Sequence, residues 1–307
     1  MKNIDQLKVA VLGGGPGSER QVSLASARGV VEALRALVAR VELVDVSGPG
    51  FECPDDIDVA FNVIHGTYGE DGELQAEMSR RGIAYTGARE ASSRLAFDKI
   101  HSRERFIAQG VSTPRGVQMR VDRADPTVIG FPCVVKPPRE GSSVGVHIVK
   151  DQAGWLVAIE DAARFGDYTL VEECIVGKEL TVGVIDDRAL PIIHIQPRSG
   201  FYDMSNKYPW LADKGGTDYF CPADLNAETT ALVQAEALAA HRALGVEVYS
   251  RVDVLLDADG NAFVLEVNTI PGMTESSLLP KAAREAGMDF GKLCLNIIES
   301  SLKYGFT

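Results

Sequence analysis

The sequence predicts an α/β protein that opens on a small parallel sheet. An apolar run after Lys8, VAVLGGG, ends in glycines, as a buried strand does ahead of a tight turn. Helical spacing follows over 23–37, with Ser23 as the expected N-cap. Buried-type strands over 41–46 and 59–64, then a helix over 72–81 ending near Gly82, complete a β-α-β-β-α order.

Composition fits this class. The chain has 307 residues, 45% hydrophobic and 24% charged, enough for two or three modest domains with their own cores. Aromatics at 7% and 30 glycines suit tight turns between strands and helices better than a β-sandwich. A net charge of −12 argues against nucleic acid or an acidic membrane surface as a partner, and a small anion would need locally gathered cations. The five cysteines (Cys53, Cys133, Cys174, Cys221, Cys294) are scattered and never spaced C-x-x-C, so reduced thiols in a cytoplasmic protein are expected. The N-terminus enters a strand without a signal-peptide pattern, and no apolar run approaches the roughly 18 residues of a membrane span.

Further elements follow in order. Residues 91–109 read as one helix closed by Gly110. A strand-rich zone comes next: PCVVKP, VGVHIV, a helix over 152–164, then TLVEECIV. ELTVGVI and LPIIHIQ read as antiparallel strands, followed by a polar, irregular stretch over 198–217. Residues 226–244 form an amphipathic helix, VDVLL-DADGN-AFVLEV a hairpin, and two short helical segments end the chain.

The hairpin carries the sharpest local argument. A two-residue turn at Asp259-Gly260 pairs Ala258 with Asn261. Asp253 then comes opposite Glu266, and Arg251 opposite Asn268, all on one face. Val252, Val254, Leu265 and Val267 fall on the other, core-facing side. Carboxylates opposed across a ladder repel unless a cation lies between them, and Asp, Glu and Asn oxygens suit Mg²⁺. The same alternation also suits an ordinary sheet with one solvated, charged face.

Lys136 leaves the strand CVVK beside a Gly/Ser-rich loop, where it could neutralise phosphates or simply snorkel at the surface. Lys99 in FDKIHS is less distinctive. GGGPGSE fails G-x-G-x-x-G because position 18 is Ser, although its turn could present N–H groups beside Glu19. In HGTYGEDGELQA, His65 stands at a strand's carboxyl end, placed equally for function or for a structural hydrogen bond.

Five stretches occur in a telling order: GPGSERQVS, HGTYGEDGELQA, VVKPPREGSSVG, FYDMSNKY…DYFCPA and RVDVLLDADGNAFVLEVNTIPGMTESS. Together they resemble the D-alanine–D-alanine ligases of the ATP-grasp superfamily over essentially the whole chain. The resemblance implies three α/β domains, over 1–88, 89–178 and 179–307, with ATP clamped between the second and third in an α+β arrangement. It implies ATP contacts from Lys99, Lys136, Glu172 and Glu179, with the backbone of Glu173, Cys174 and Ile175 holding adenine. Asp253, Glu266 and Asn268 match ligands of two Mg²⁺ ions, with Mn²⁺ as a substitute.

Glu19 matches the acid that binds the first D-alanine's ammonium, and Ser142 and Tyr208 its hydrogen-bonded partners. Arg251 and the Gly272 N–H match oxyanion stabilisers. His65, Lys207, Ser277 and Leu278 match substrate-binding positions, the last two at the second substrate's carboxylate. The activity implied is ATP-dependent joining of two D-alanines through an acyl phosphate, for peptidoglycan, by a cytoplasmic homodimer. The stretch over 200–220, with Phe201, Tyr202, Tyr208, Trp210 and Tyr219, is the expected lid.

Three positions depart from the family pattern: Gly17 replaces a usual Ser, Cys174 sits where the adenine hinge is often bulky, and Val248 replaces a small residue. Tyr208 favours an amine acceptor over D-lactate, leaving D-serine as the alternative second substrate. A nicotinamide-dependent oxidoreductase and a catalytically silent nucleotide binder are the readings from other classes.

Overall fold

A computed structural model describes residues 3–198 and 216–304. Lys207, Tyr208, Phe201, Tyr202 and Trp210 lie outside the described residues. The described chain builds three sheets. The first is parallel, in the order β2-β1-β3, from β1 (Lys8–Gly14), β2 (Arg40–Val46) and β3 (Val59–Asn62). Helix α1 (Arg20–Leu34) links β1 to β2, and α2 (Glu73–Arg81) ends at Gly82 in the left-handed region. Ser23 does not cap α1. It lies inside the helix, fully buried, where its hydroxyl accepts the His65 backbone N–H at 2.9 Å.

The predicted helix over 91–109 is two helices, α3 (Glu90–Phe97) and α4 (Lys99–Ala108). Asp98 breaks it: with an extended backbone, its carboxylate accepts the N–H groups of Ile100 and His101 and caps α4. Composition alone reads through such a break because no Gly or Pro interrupts the run on either side of Asp98.

The second sheet is antiparallel, in the order β4-β7-β5-β6. It comprises β4 (Gly116–Arg120), β5 (Cys133–Lys136), β6 (His147–Val149) and β7 (Tyr168–Glu173), covered by α5 (Gln152–Ala162). The third runs β11-β10-β8-β12-β13, with a short strand β9 (Arg188–Ala189) on β8. Its members are β8 (Gly177–Ile185), β10 (Ile193–Pro197), β11 (Thr217–Phe220), β12 (Tyr249–Asp257) and β13 (Ala262–Asn268). Helix α6 (Ala227–Ala243) is capped by the Asn226 side chain, and α7 (Leu278–Glu285) and α8 (Phe290–Lys303) close the chain.

One apolar core crosses between the first and third sheets, and a second packs helices onto the third. One joins Val9 and Val11 of β1 to Val30 and Leu34 of α1, Ile297 of α8, and Ile185 and Ile193 of the third sheet. The other joins Ala96 and Phe106 of α3 and α4 to Val252, Val254 and Val264, under Val233 and Ala237 of α6. The last strands of the third sheet are thus fixed from behind, leaving their opposite face to line a cleft.

Candidate active site

The cleft's floor follows from strand alternation. On β12, Asp253 is opposite Thr181 of β8 on one side and Glu266 of β13 on the other. Arg251 is likewise opposite Gly183 and Asn268. The opposed acids of the sequence reading are therefore present, but the ladder reaches them by a different route. Asp257 N–H donates to the Asn261 carbonyl at 3.0 Å, so the loop is Ala258-Asp259-Gly260, one residue longer than expected. The Asp257 carboxylate shapes it by accepting the N–H groups of Asp259 and Asn261.

That extra residue shifts the register until Leu265, where a bulge shifts it back: Val254 pairs with Val264, and Asp253 with Glu266. Leu265 consequently leaves the core and lines the cleft, and Val264, fully buried, takes its place.

One cavity, about 760 Å³, lies between the second and third sheets. Val134, Val146, Ile148, Leu255 and Leu265 give it apolar walls, and the Glu173–Ile175 backbone forms one edge. Lys136 projects from the end of β5 and is 7% exposed, its ammonium 2.5 Å from Glu172. A charge so desolvated persists because its partner is equally buried, with the Arg103 guanidinium 4.0 Å from the other Glu172 oxygen. Glu179 lies further along the same wall, as do Lys150 and Lys178, which the sequence reading passed over.

Lys99 owes its position to the break at Asp98. As the first residue of α4, it donates its backbone N–H to Pro138 and its ammonium to the Glu140 carbonyl at 2.7 Å, 3.1 Å from Glu266. Asp98 also pairs with Arg139 at 2.8 Å, tying the helix start to the Gly/Ser loop. In that loop Ser142 and Ser143 both adopt left-handed backbones (φ 49° and 61°), conformations that residues with a Cβ hold only where surroundings impose them.

A second cavity, about 380 Å³, shares Lys99, Glu140 and Glu266 with the first. Its lining brings together Glu19, Ser142, His65, Arg251, Gly272, Ser277 and Leu278. Ser142 Oγ donates to Glu19 at 2.5 Å, joining the first βα turn to the Gly/Ser loop. Arg251 makes a two-pronged contact with Asp253, at 3.0 and 2.8 Å, and Thr181 donates to the same carboxylate. Ser277 precedes α7, its hydroxyl accepting the Thr274 N–H at 3.1 Å, and a side chain on Gly272 would come within 2.9 Å of that hydroxyl.

His65 is held on both ring nitrogens, with Nδ1 2.9 Å from the Ile270 carbonyl and Nε2 3.2 Å from Ser26 Oγ. Burial alone would lower its pKa, but Glu70 and Glu19 beside it outweigh burial and shift it upward. Burial raises the Glu70 pKa against the pull of His65, and burial raises that of Glu140 against Lys99. Glu70 and Glu140 were not singled out as site residues in the sequence. The i+5 spacing of Glu70 from His65 matches no simple period, so only the folded loop reveals the pair.

The donors around Asp253 and Glu266 are hard oxygens, and each carboxylate holds a cationic side chain, which offsets the repulsion between opposed acids. Among the described residues no three of His, Cys, Asp and Glu form a metal-ligating cluster; beside the two carboxylates the Asn268 amide oxygen, which accepts the Ile270 N–H at 2.9 Å, is a further hard donor. The patch fits Mg²⁺ on these terms. Val248, at the departure noted in the sequence, has φ 65° and is buried, so a β-branched side chain sits where glycine would be unstrained.

Comparison with known proteins places this geometry. The family model for the D-ala D-ala ligase C-terminus matches residues 114–299. A D-alanine–D-alanine ligase of Methylacidiphilum infernorum is 45% identical over 295 residues, covering 95% of each chain. The crystal structure of the Bacillus anthracis D-alanine–D-alanine ligase complexed with ATP superposes with a TM-score of 0.83 at 32% identity, covering 97% of this chain and 98% of that one. The VanG D-Ala:D-Ser ligase of Enterococcus faecalis gives 0.83 at 27% identity, covering 96% and 99%. With two cavities meeting at Lys99 and Glu266, and with this degree of likeness along nearly its whole length, the chain belongs to the D-alanine–D-alanine ligase family.

Proposed function

We propose that this chain joins two D-alanine molecules at the expense of ATP. The observation that carries the reading is the meeting of the two cavities at Lys99, Glu140 and Glu266, an arrangement that would set a nucleotide's terminal phosphate beside an amino-acid pocket. In the first step a carboxylate oxygen of the first D-alanine bonds to the γ-phosphorus while the bond to ADP breaks, giving an acyl phosphate. In the second the amine of the second D-alanine forms the C–N bond, the amine proton is lost, and phosphate leaves.

The larger cavity takes the nucleotide: apolar walls and the Glu173, Cys174 and Ile175 backbone at the adenine, Glu172 and Glu179 at the ribose end, Lys136 and Lys99 at the phosphates. Positioning and charge neutralisation dominate phosphoryl transfer, so these few cations matter in an otherwise acidic protein. Asp253, Glu266 and Asn268 would hold the two Mg²⁺ ions, or Mn²⁺, whose chemistry is neutralisation of the β- and γ-phosphates.

Glu19 holds the first substrate's ammonium, oriented by Ser142 and by Tyr208. His65 lines the same pocket and Lys207 belongs to its cover. Arg251 and the Gly272 N–H stabilise the tetrahedral oxyanion, a role typically worth about 3–4 kcal/mol per donor. Ser277 and Leu278 receive the second carboxylate at the start of α7.

The same proposal includes a homodimer, a cytoplasmic location and a role in supplying peptidoglycan precursor. Among the described residues no helix is long and apolar enough to cross a membrane. It includes the division into 1–88, 89–178 and 179–307, each segment holding one sheet apart from the start of β8 at Gly177.

The test is ADP release measured with and without D-alanine, with product identification for D-alanine, D-serine and D-lactate as acceptors. D-Alanine-dependent release with D-alanyl-D-alanine as the main product is expected. A larger yield with D-serine would reassign the acceptor, and release without any amino acid would reduce the chain to an ATPase or a nucleotide sensor.

A further inference from the structure

The smaller cavity is rich in acids. Glu19, Glu70, Glu140 and Glu266 line it, against the cations Lys99, Arg251 and Lys281 and the His65 ring. Lys99 is taken up by Glu266 and Arg251 by Asp253. Among the described residues no carboxylate lies within 4.0 Å of the Lys281 ammonium. It rests instead over the Tyr219 ring, 4.5 Å from the centroid, and Tyr219 also lines the cavity.

The backbone explains where Lys281 reaches. It stands four residues beyond Ser277, to whose carbonyl its N–H donates at 3.0 Å. Helical side chains lean toward the N-terminus, so the lysine stem runs back over the first turn, toward Ser277 and Leu278. Pro280 in that turn offers no N–H of its own. The ring contact limits the freedom of an otherwise flexible ammonium without neutralising it.

We propose that Lys281, held by Tyr219, is a positioning residue that draws the second D-alanine's carboxylate to the start of α7 and so sets the affinity for the acceptor. This rests on the ligase reading above. The acceptor brings a carboxylate into a pocket lined by four glutamates, and without a compensating cation it would be repelled from the end where its amine must attack. Among the described lining lysines and arginines, Lys281 is the one not paired with a carboxylate, since Lys99 contacts Glu266 and Arg251 contacts Asp253.

The test is initial rate against D-alanine concentration at saturating ATP, fitted to separate first-site and second-site KM values. It is run on the unaltered protein and on Lys281→Met, Lys281→Arg and Tyr219→Leu. Lys281→Met is expected to raise the second-site KM about tenfold or more, as loss of a hydrogen bond to a charged group does, with kcat falling no more than about threefold. First-site KM, ATP KM and melting temperature should stay put, Lys281→Arg should restore most of the loss, and Tyr219→Leu should give a smaller rise.

An unchanged second-site KM in Lys281→Met overturns the proposal, as does a parallel rise in all three KM values or a lowered melting temperature, which would mark a structural role. Failure of the unaltered protein to make D-alanyl-D-alanine would instead sink the ligase reading, so the two failures are separable.

Discussion

At the scale of the residue, Glu266 is the most exposed to test. Its carboxylate faces Asp253 across the ladder, contacts Lys99 at 3.1 Å and lines both cavities. Glu266→Gln keeps the shape and removes the charge, so the fold should persist while the site loses one hard oxygen ligand and the partner of Lys99. We predict at least a hundredfold fall in kcat, of the order seen when an electrostatic contact made at the reacting centre is lost. The melting temperature should change little, because the residue is partly exposed on a strand already paired on one side. ADP-release assays and thermal melts check both parts, and near-normal turnover would remove the metal assignment.

At the scale of the element, two helices carry measurable consequences. Asp98 caps α4 and binds Arg139, so Asp98→Ala should cost about 1 kcal/mol of stability for the cap alone. The same change loosens the start of α4 and hence Lys99, so ATP KM should rise while the second-site D-alanine KM holds. Denaturant titration and nucleotide kinetics measure the two effects.

Helix α6 carries a different signature. His241 is buried against β12, its Nδ1 2.8 Å from Ser250 Oγ, and burial pushes its pKa from 6.5 down to about 4. The folded state therefore resists protonation that the unfolded chain accepts. Its contribution is intact above pH 6.5 and is lost as pH falls toward 4, amounting to about 3 kcal/mol. Comparing unfolding free energies of the unaltered protein and His241→Asn at pH 7 and pH 4 should show the variant losing less. Equal losses would place the acid sensitivity elsewhere.

At the scale of the whole molecule, the cores matter more than the linear order. Ile297 near the C-terminus is fully buried in the cluster that contains Val9, Val11, Val30 and Ile193. Ile297→Ala should cost about 2–5 kcal/mol, the usual range for such a truncation. Because this core links the first and third sheets, those parts should lose structure together: fluorescence and circular dichroism should report one coincident transition. Two separated transitions would show that the sheets unfold independently.

Much of this was legible in the chain. Strand and helix periods located most elements, since burial of one face imposes a local repeat, and the motifs pointed to the family. The opposed acids were read correctly even though the turn is longer than predicted, because the bulge at Leu265 restores the register; alternation cannot reveal an extra residue that a later one cancels. The break at Asp98, the Lys136–Glu172 pair and the contact of His65 with Ile270, 205 residues away, were not legible. Amino-acid order by itself determined which segments bury a face and which side chains bring charge. Only tertiary structure decided which charges meet, because Coulombic and hydrogen-bond partners are selected by distance in space and by shared exclusion of water, and neither leaves a period in the sequence.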